Sequence, residues 1–323
     1  MNKPRKSITQ EDLNEIIERH QHYLKRDVPD WEDCRAVFSS DVSYENMDFS
    51  NADLTEAVFN RTWLVCADFS NARLCDCTLN DIYASGANFQ SAKMQSIMIN
   101  QGEFYLANFR EADLSYAQLK DFGNSVHDYQ CCRFDQANLS GAYLNGNFSK
   151  SSFQMADLGA ADIHSANFTL CDFQNATLAN SVIEQSTAHG AYLRNADLSF
   201  CTFQDCWIRN VSFKNADFHN AMFVETLMDN ADFTKANLTK AELGGCKLLS
   251  DCDFSLANLT DADFCKQNVD GTVFLECDFS DAKIDGMKLD LKRFCEPIGL
   301  PENFGKTNID TEEVRDEEDL EKD

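Results

Sequence analysis

Residues able to do chemistry are plentiful in this 323-residue chain, which holds 14 cysteines, 6 histidines and 54 aspartates and glutamates. Thiolates and imidazoles bind zinc when they come as paired CxxC elements with histidines, exposed low-pKa thiols do redox work, and facing carboxylates do general acid–base work. None of these patterns is present. No CxxC pair has partner histidines, and His20 and His22, two apart on a helix, point in different directions with no third ligand. No catalytic residue, metal ligand or cofactor site is assigned, and no enzyme activity is expected. Triplets such as Asn167-Phe168-Thr169 fit the N-x-S/T pattern, but they arise from a periodic sequence and are not read as glycosylation sites.

What arranges these residues is a period of five. Stepping from Tyr44 through Phe49, Leu54 and Phe59 reaches Leu144; one residue is missing before Phe148, the steps run to Leu248, and one extra residue precedes the last run from Phe254 to Phe294. Of these 51 positions, all but Ala84, Asn124 and Ala188 are large and apolar. Two residues earlier the side chain is usually small, most often Ala, and the residue between is often Asp or Asn. Helices repeat at about 3.6 residues and strands at about two, so a unit with two inward and three outward side chains requires a turn after every unit.

The same pattern sorts the cysteines. Cys77, Cys132, Cys171, Cys201, Cys206, Cys246, Cys252 and Cys277 take the small inward place and read as packing. Cys66, Cys75, Cys131, Cys265 and Cys295 fall outside it and are the set that an enzyme or redox-sensor reading would use. At Ala84 and Asn124 the preceding small sites are Ile82 and Phe122, so large and small have exchanged places and local distortion is expected. Ala188 follows Ser186 with no compensation, which makes STAHG the expected point of poorest packing, where a hydroxyl or a water fills the space or the coil opens.

Units such as ADFSN, ADLTE, ANFRE, ADLSY, ANLSG, ADLGA and ANLTD resemble the pentapeptide repeat family, consensus A(D/N)LXX, over roughly residues 42–296. The resemblance implies an all-β fold, a right-handed quadrilateral β-helix with four units per coil. That gives about 13 coils and a rod of about 60 Å at the spacing of neighbouring strands. Like residues should then stack every fourth unit. One such column reads Phe134, Phe153, Phe173, Leu193, Phe213, Phe233, Phe254, Phe274, Phe294, and another reads Leu119, Leu139, Leu158, Leu178, Leu198, Phe218.

Residues 1–41 form the N-terminal segment, in which residues 9–26 read as an amphipathic helix. Thr9 is its N-cap, and Leu13, Ile16, Ile17, His20 and Leu24 share one face. The helix should cover the first coil, with Trp31 helping, and Ala36 and Phe38 start an irregular unit. Residues 297–323 contain PIGLPENF, whose Leu300 and Phe304 are placed to lid the last coil, and an acidic tail expected to stay disordered. There is neither a signal-peptide h-region nor a run of about 18 apolar residues, so a cytoplasmic home is expected.

The net charge of −26 divides into −2 for residues 1–41, −17 for 42–296 and −7 for the tail. This balance disfavours direct nucleic-acid binding. The best-known pentapeptide repeat proteins, which confer quinolone resistance, imitate B-DNA and bind DNA gyrase, so the resemblance implies a DNA mimic as an alternative function. Duplex DNA carries about 35 charges over 60 Å, roughly twice the density of this rod. Arg73, Lys93, Arg133, Arg194, Lys214 and Lys235 dilute the rod's charge further, and only single-residue slips interrupt its repeat. The leading expectation is therefore a noncatalytic protein-binding or scaffold protein without membrane contact, with dimerisation through a rod end as relatives allow. One face is expected to hold both candidate surfaces: a partner surface of Trp63, Val65, Tyr83, Tyr105 and Tyr143, and an acidic column of Asp162, Glu184, Asp205, Glu225 and Glu242.

Overall fold

The structure is a computed structural model that describes residues 6–120 and 128–288, with Phe294–Cys295 and Gly299. Its organising feature is a left-handed backbone residue in nearly every unit, as at Asn46, Asn51, Glu56 and Arg61, with φ of 58°, 59°, 65° and 51°. This conformation reverses the chain, and Asn tolerates it better than most residues, which accounts for the asparagines at many corners. Each turn is closed locally, as where the Ala52 N–H donates to the Phe49 carbonyl at 3.1 Å.

Four such turns close a square coil, and successive coils pair as parallel strands, with Val58, Thr78, Met98 and Gln118 in register. Between coils, the Phe49 N–H donates to the Asp68 carbonyl at 2.7 Å and the Asp68 N–H to the Met47 carbonyl at 2.9 Å. The chain is therefore a quadrilateral β-helix. Its four faces centre on Tyr44, Leu64 and Phe104 (first), Phe49, Phe69 and Phe89 (second), Leu54, Leu74 and Leu114 (third), and Phe59, Leu79 and Ile99 (fourth), all buried. The phenylalanine column lies on the second face and stacks ring on ring, as between Phe109 and Phe134 at 4.8 Å and 1°. Such parallel pairs add dispersion to the burial of large apolar rings.

The register corrects four sequence expectations. Leu119 pairs with Leu144 on the fourth face, 25 residues on, and Asp113 pairs with Asn138, so Leu139 continues the column of Leu114 rather than of Leu119. One coil thus takes five residues more than its neighbours, between Lys120 and Asp128, and the repeat is interrupted by more than single-residue slips. Residues 121–127, with Phe122 and Asn124, lie outside the described residues. The second slip falls one position earlier than five-residue steps place it, because Leu249 is buried and Leu248 is 40% exposed. Regular strand on the fourth face spans ten coils rather than about thirteen, and beyond Met222 the face continues as single bridges through Glu242, Asp263 and Lys283.

The exchange at Ile82 and Ala84 leaves the corner in place rather than distorting it. Both side chains are buried, and the strand Thr78–Tyr83 continues past a corner at Asp81 that keeps its left-handed φ of 57°. Its neighbour Met98–Glu103 does the same, with Ile82 opposite Gly102. A Cβ at Gly102 would meet the Phe104 ring, so this crossing needs glycine.

The first coil ends in backbone groups with no coil beneath them, and the helix Gln10–Lys25 covers them. Thr9 caps it reciprocally with Asp12, and Leu13 and His20 are fully buried. Gln10 bonds both backbone groups of Asp48, at 2.7 and 3.0 Å, and Gln21 donates to the Asp53 carbonyl at 3.0 Å. His20 bridges the Thr55 carbonyl at 3.0 Å and the Ala36 N–H at 3.1 Å. Ala36 and Phe38 start the rod, with Phe38 stacked on Phe59 at 4.4 Å. Trp31 does not cover the coil; it packs against Tyr23 and under the Arg26 guanidinium. The expected lid residues Leu300 and Phe304 and the acidic tail lie outside the described residues.

Candidate partner surface

The polar residues of the repeat have structural work. An Asp or Asn just before the central residue accepts the N–H two positions on, as Asp48 does from Ser50 at 2.8 Å. Asparagines in this row also ladder between coils, Asn88 donating to Asp68 and Asn108 to Asn88, each at 2.9 Å. Among the described residues, no three His, Cys, Asp or Glu side chains are placed to hold a metal ion.

The eight inward cysteines are all buried and reduced. Several thiols donate to the carbonyl of the coil beneath, as Cys77 to Leu54 and Cys171 to Phe148, each at 2.9 Å. Burial pushes Cys201 and Cys206 up to about 11 and Cys171, Cys252 and Cys277 up to about 12. These groups stay thiols at neutral pH, which suits packing and not nucleophilic chemistry. Outside that set, Cys66 is exposed, Cys75, Cys131 and Cys265 are half-buried, and Cys295 lies where no side chain is described.

The two expected surface groups do not share one face. Trp63 and Tyr83 sit in consecutive coils at the start of the first face, their rings stacked at 4.3 Å and 17°. Val65 and Tyr105 lie at the far side of that face, where their carbonyls accept from Asn46 and Gly86, and the exposed corner residue Leu106 adjoins Tyr105. Tyr143 instead belongs to the fourth face, in register with Gln118 and Asp162, with the Lys120 ammonium 5.2 Å from its ring. The five extra residues after Lys120 put a four-unit count one face out for every later residue, which is why such a count merged the two groups.

The acidic residues do lie on the fourth face and its corner, but not as one column. Asp162 and Glu242 occupy one row, with Val182, Thr202 and Met222 between them, and Glu184 stands in the row of His164 and Gln204. Asp205 and Glu225 stand at the corner, with the Lys247 ammonium 3.8 Å from the first and 2.8 Å from the second. His164 lies 3.1 Å from Glu184. The row is thus broken by apolar side chains and partly neutralised.

The structure adds a second apolar group on the first face. Trp207, Leu227 and Leu248 are in register on three consecutive strands, with Trp207 65% exposed. All three occupy the outward position before a central residue, and unit counting held the signal for Trp207 and Leu227. Leu248 was hidden because five-residue steps assigned it inward.

Family comparisons agree with this architecture. A model described as pentapeptide repeat region matches residues 189–250, and one described as pentapeptide repeats (8 copies) matches 67–101, 130–169 and 257–291, together more than half of the chain. The chain belongs to the pentapeptide repeat family. No curated protein matches the sequence. Among solved structures, HetL, a pentapeptide repeat protein involved in heterocyst differentiation regulation from Nostoc sp. strain PCC 7120, is similar at 21% identity. That match covers 83% of this chain and 93% of HetL, with a TM-score of 0.25. QnrB1, a plasmid-mediated fluoroquinolone resistance protein, is similar at 16% identity over 61% of this chain and 90% of its own, with a TM-score of 0.37. A pentapeptide repeat protein of the Arabidopsis thaliana thylakoid lumen shares 23% identity over 29% of this chain and 65% of its own, with a TM-score of 0.28. Among the described residues, no helix is long and apolar enough to cross a membrane.

Proposed function

We propose that this pentapeptide repeat rod is a noncatalytic protein-binding or scaffold protein that meets its partner through the first face. The carrying observation is the stacked pair Trp63 and Tyr83 with Val65 and the 45% exposed Tyr105, a grouping of outward aromatic residues flanked in its row by the polar Ser43 and Glu103. Rigid aromatics on a flat sheet face supply contact area at low entropic cost, and such residues dominate interface energetics. Mimicry of DNA fits the surface less well, since Lys247 lies against both Asp205 and Glu225 and apolar residues divide the acidic row.

The test is affinity capture from a bacterial lysate with the full chain and with a variant carrying Trp63→Ser, Tyr83→Ser and Tyr105→Ser, at low and moderate salt. A partner held by the parent in both salts and lost by the folded variant is the expected result. A partner captured equally by both proteins would remove this face from consideration. One lost in moderate salt and displaced by duplex DNA would replace the reading with mimicry.

A further inference from the structure

The coil built on Ala188, Leu193, Leu198 and Phe203 lacks a large first-face residue and, unlike the coil of Ala84, where buried Ile82 compensates, has only Ser186 in the preceding small site. The second-face column has its single leucine there, and the first face has only the Ala188 methyl where neighbouring coils place Phe168 and Ile208. The missing volume is not recovered by collapse. A void of about 30 Å³ remains on the rod axis, walled by inward side chains of all four faces, among them Phe168, Phe173, Ile183, Leu193, Phe203 and Ile208.

Size alone admits water, which needs about 10–15 Å³ of this kind of volume, but water also needs polar partners. The polar groups at the wall are already used. The Ser186 hydroxyl donates to the Glu184 carbonyl at 2.8 Å and accepts the Ala166 N–H at 3.0 Å. The Cys206 thiol donates to the Ile183 carbonyl at 3.1 Å, and the Thr187 hydroxyl donates to Asn167 at 3.2 Å. Placing water there would cost its hydrogen bonds with no return, whereas an apolar guest would recover dispersion contacts that the wall now lacks.

We propose that this void is a dry binding site for one small uncharged apolar molecule, of the size of a xenon atom or a diatomic gas. Ala188 is its gate in size: a branched side chain at this position occupies the space that the guest would take.

Xenon is the probe. In solutions of the full-length protein, the xenon NMR shift should depend more steeply on protein concentration for the parent than for Ala188→Leu. Xenon pressure should raise the melting temperature of the parent and not of the variant. When free xenon equals its dissociation constant, the unfolding equilibrium of the parent falls about twofold. Ala188→Val, a smaller change, serves in the same comparison if the leucine variant does not fold. Equal xenon responses in the parent and a folded variant, or ordered water in the void of a high-resolution crystal structure, would overturn the proposal.

Discussion

At the scale of single residues, His20 shows how the N-terminal cap depends on protonation. Its ring donates to the Thr55 carbonyl and accepts the Ala36 N–H, an arrangement open only to the neutral imidazole with its proton on Nε2. Burial, which disfavours the charged form, pushes its pKa below the ordinary 6.5. The unfolded chain therefore takes up a proton near pH 6.5 that the folded protein refuses. Stability should fall as pH drops below about 6.5, until the lowered folded value is reached, and this residue should add no pH dependence above it. Urea unfolding between pH 5 and 8 checks this: His20→Gln, which can still donate and accept, should show a shallower loss on the acid side. An identical pH slope in parent and variant would show that His20 is not the titrating group.

At the scale of the element, the helix Gln10–Lys25 is held to the rod by polar side chains as much as by its apolar stripe. A square coil leaves N–H and C=O groups pointing along the axis at its first level, and an uncovered end invites pairing with another chain. Gln10 meets both backbone groups of Asp48 with its amide. Gln10→Ala should cost about 1 kcal/mol, since two solvent-accessible hydrogen bonds at the edge of the first coil are lost and their partners are returned to water. Hydrogen exchange should locate the loss in the first two coils. A global melting shift with unchanged exchange there would place the role of Gln10 elsewhere. The amphipathic stripe of this helix was legible from Leu13, Ile16, Ile17 and His20 because its period is local. The amide contacts were not, because nothing in the spacing of Gln10 or Gln21 says which carbonyl lies 30 to 40 residues away.

At the scale of the whole molecule, register between coils decides which residues share a surface. The five extra residues between Lys120 and Asp128 are spare in this sense: Leu119 and Tyr129 remain ordinary central residues on either side, stacked on Ile99 and Phe104. Removing residues 121–125 and changing Val126→Asn and His127→Ala would join Lys120 to a corner asparagine, a small inward alanine, Asp128 and Tyr129, a regular unit. This shortened protein should fold with unaltered far-ultraviolet circular dichroism and a melting temperature within a few degrees of the parent. Loss of the cooperative transition would mean that the added residues support the coils around them. The deletion leaves the faces unchanged in composition, so it also separates any role of the added segment from that of Trp63 and Tyr83.

The amino-acid sequence by itself determined the unit. Alternation of a small and a large inward residue, with a left-handed corner between units, is a local steric property, so the unit and the burial of eight cysteines could be read by counting, and the resemblance to the family, which implies four units per coil, turned the count into a phenylalanine column. Only the tertiary structure decided how the units align. Whether Tyr143 lies beside Tyr105, or Leu248 faces solvent beside Leu227, depends on hydrogen bonds between coils 20 to 25 residues apart. One added unit or one displaced slip puts a unit count out by a face or a position for everything downstream while leaving each pentapeptide locally correct. Surfaces inherit that long-range phase; the core, with apolar residues inward on every side, does not.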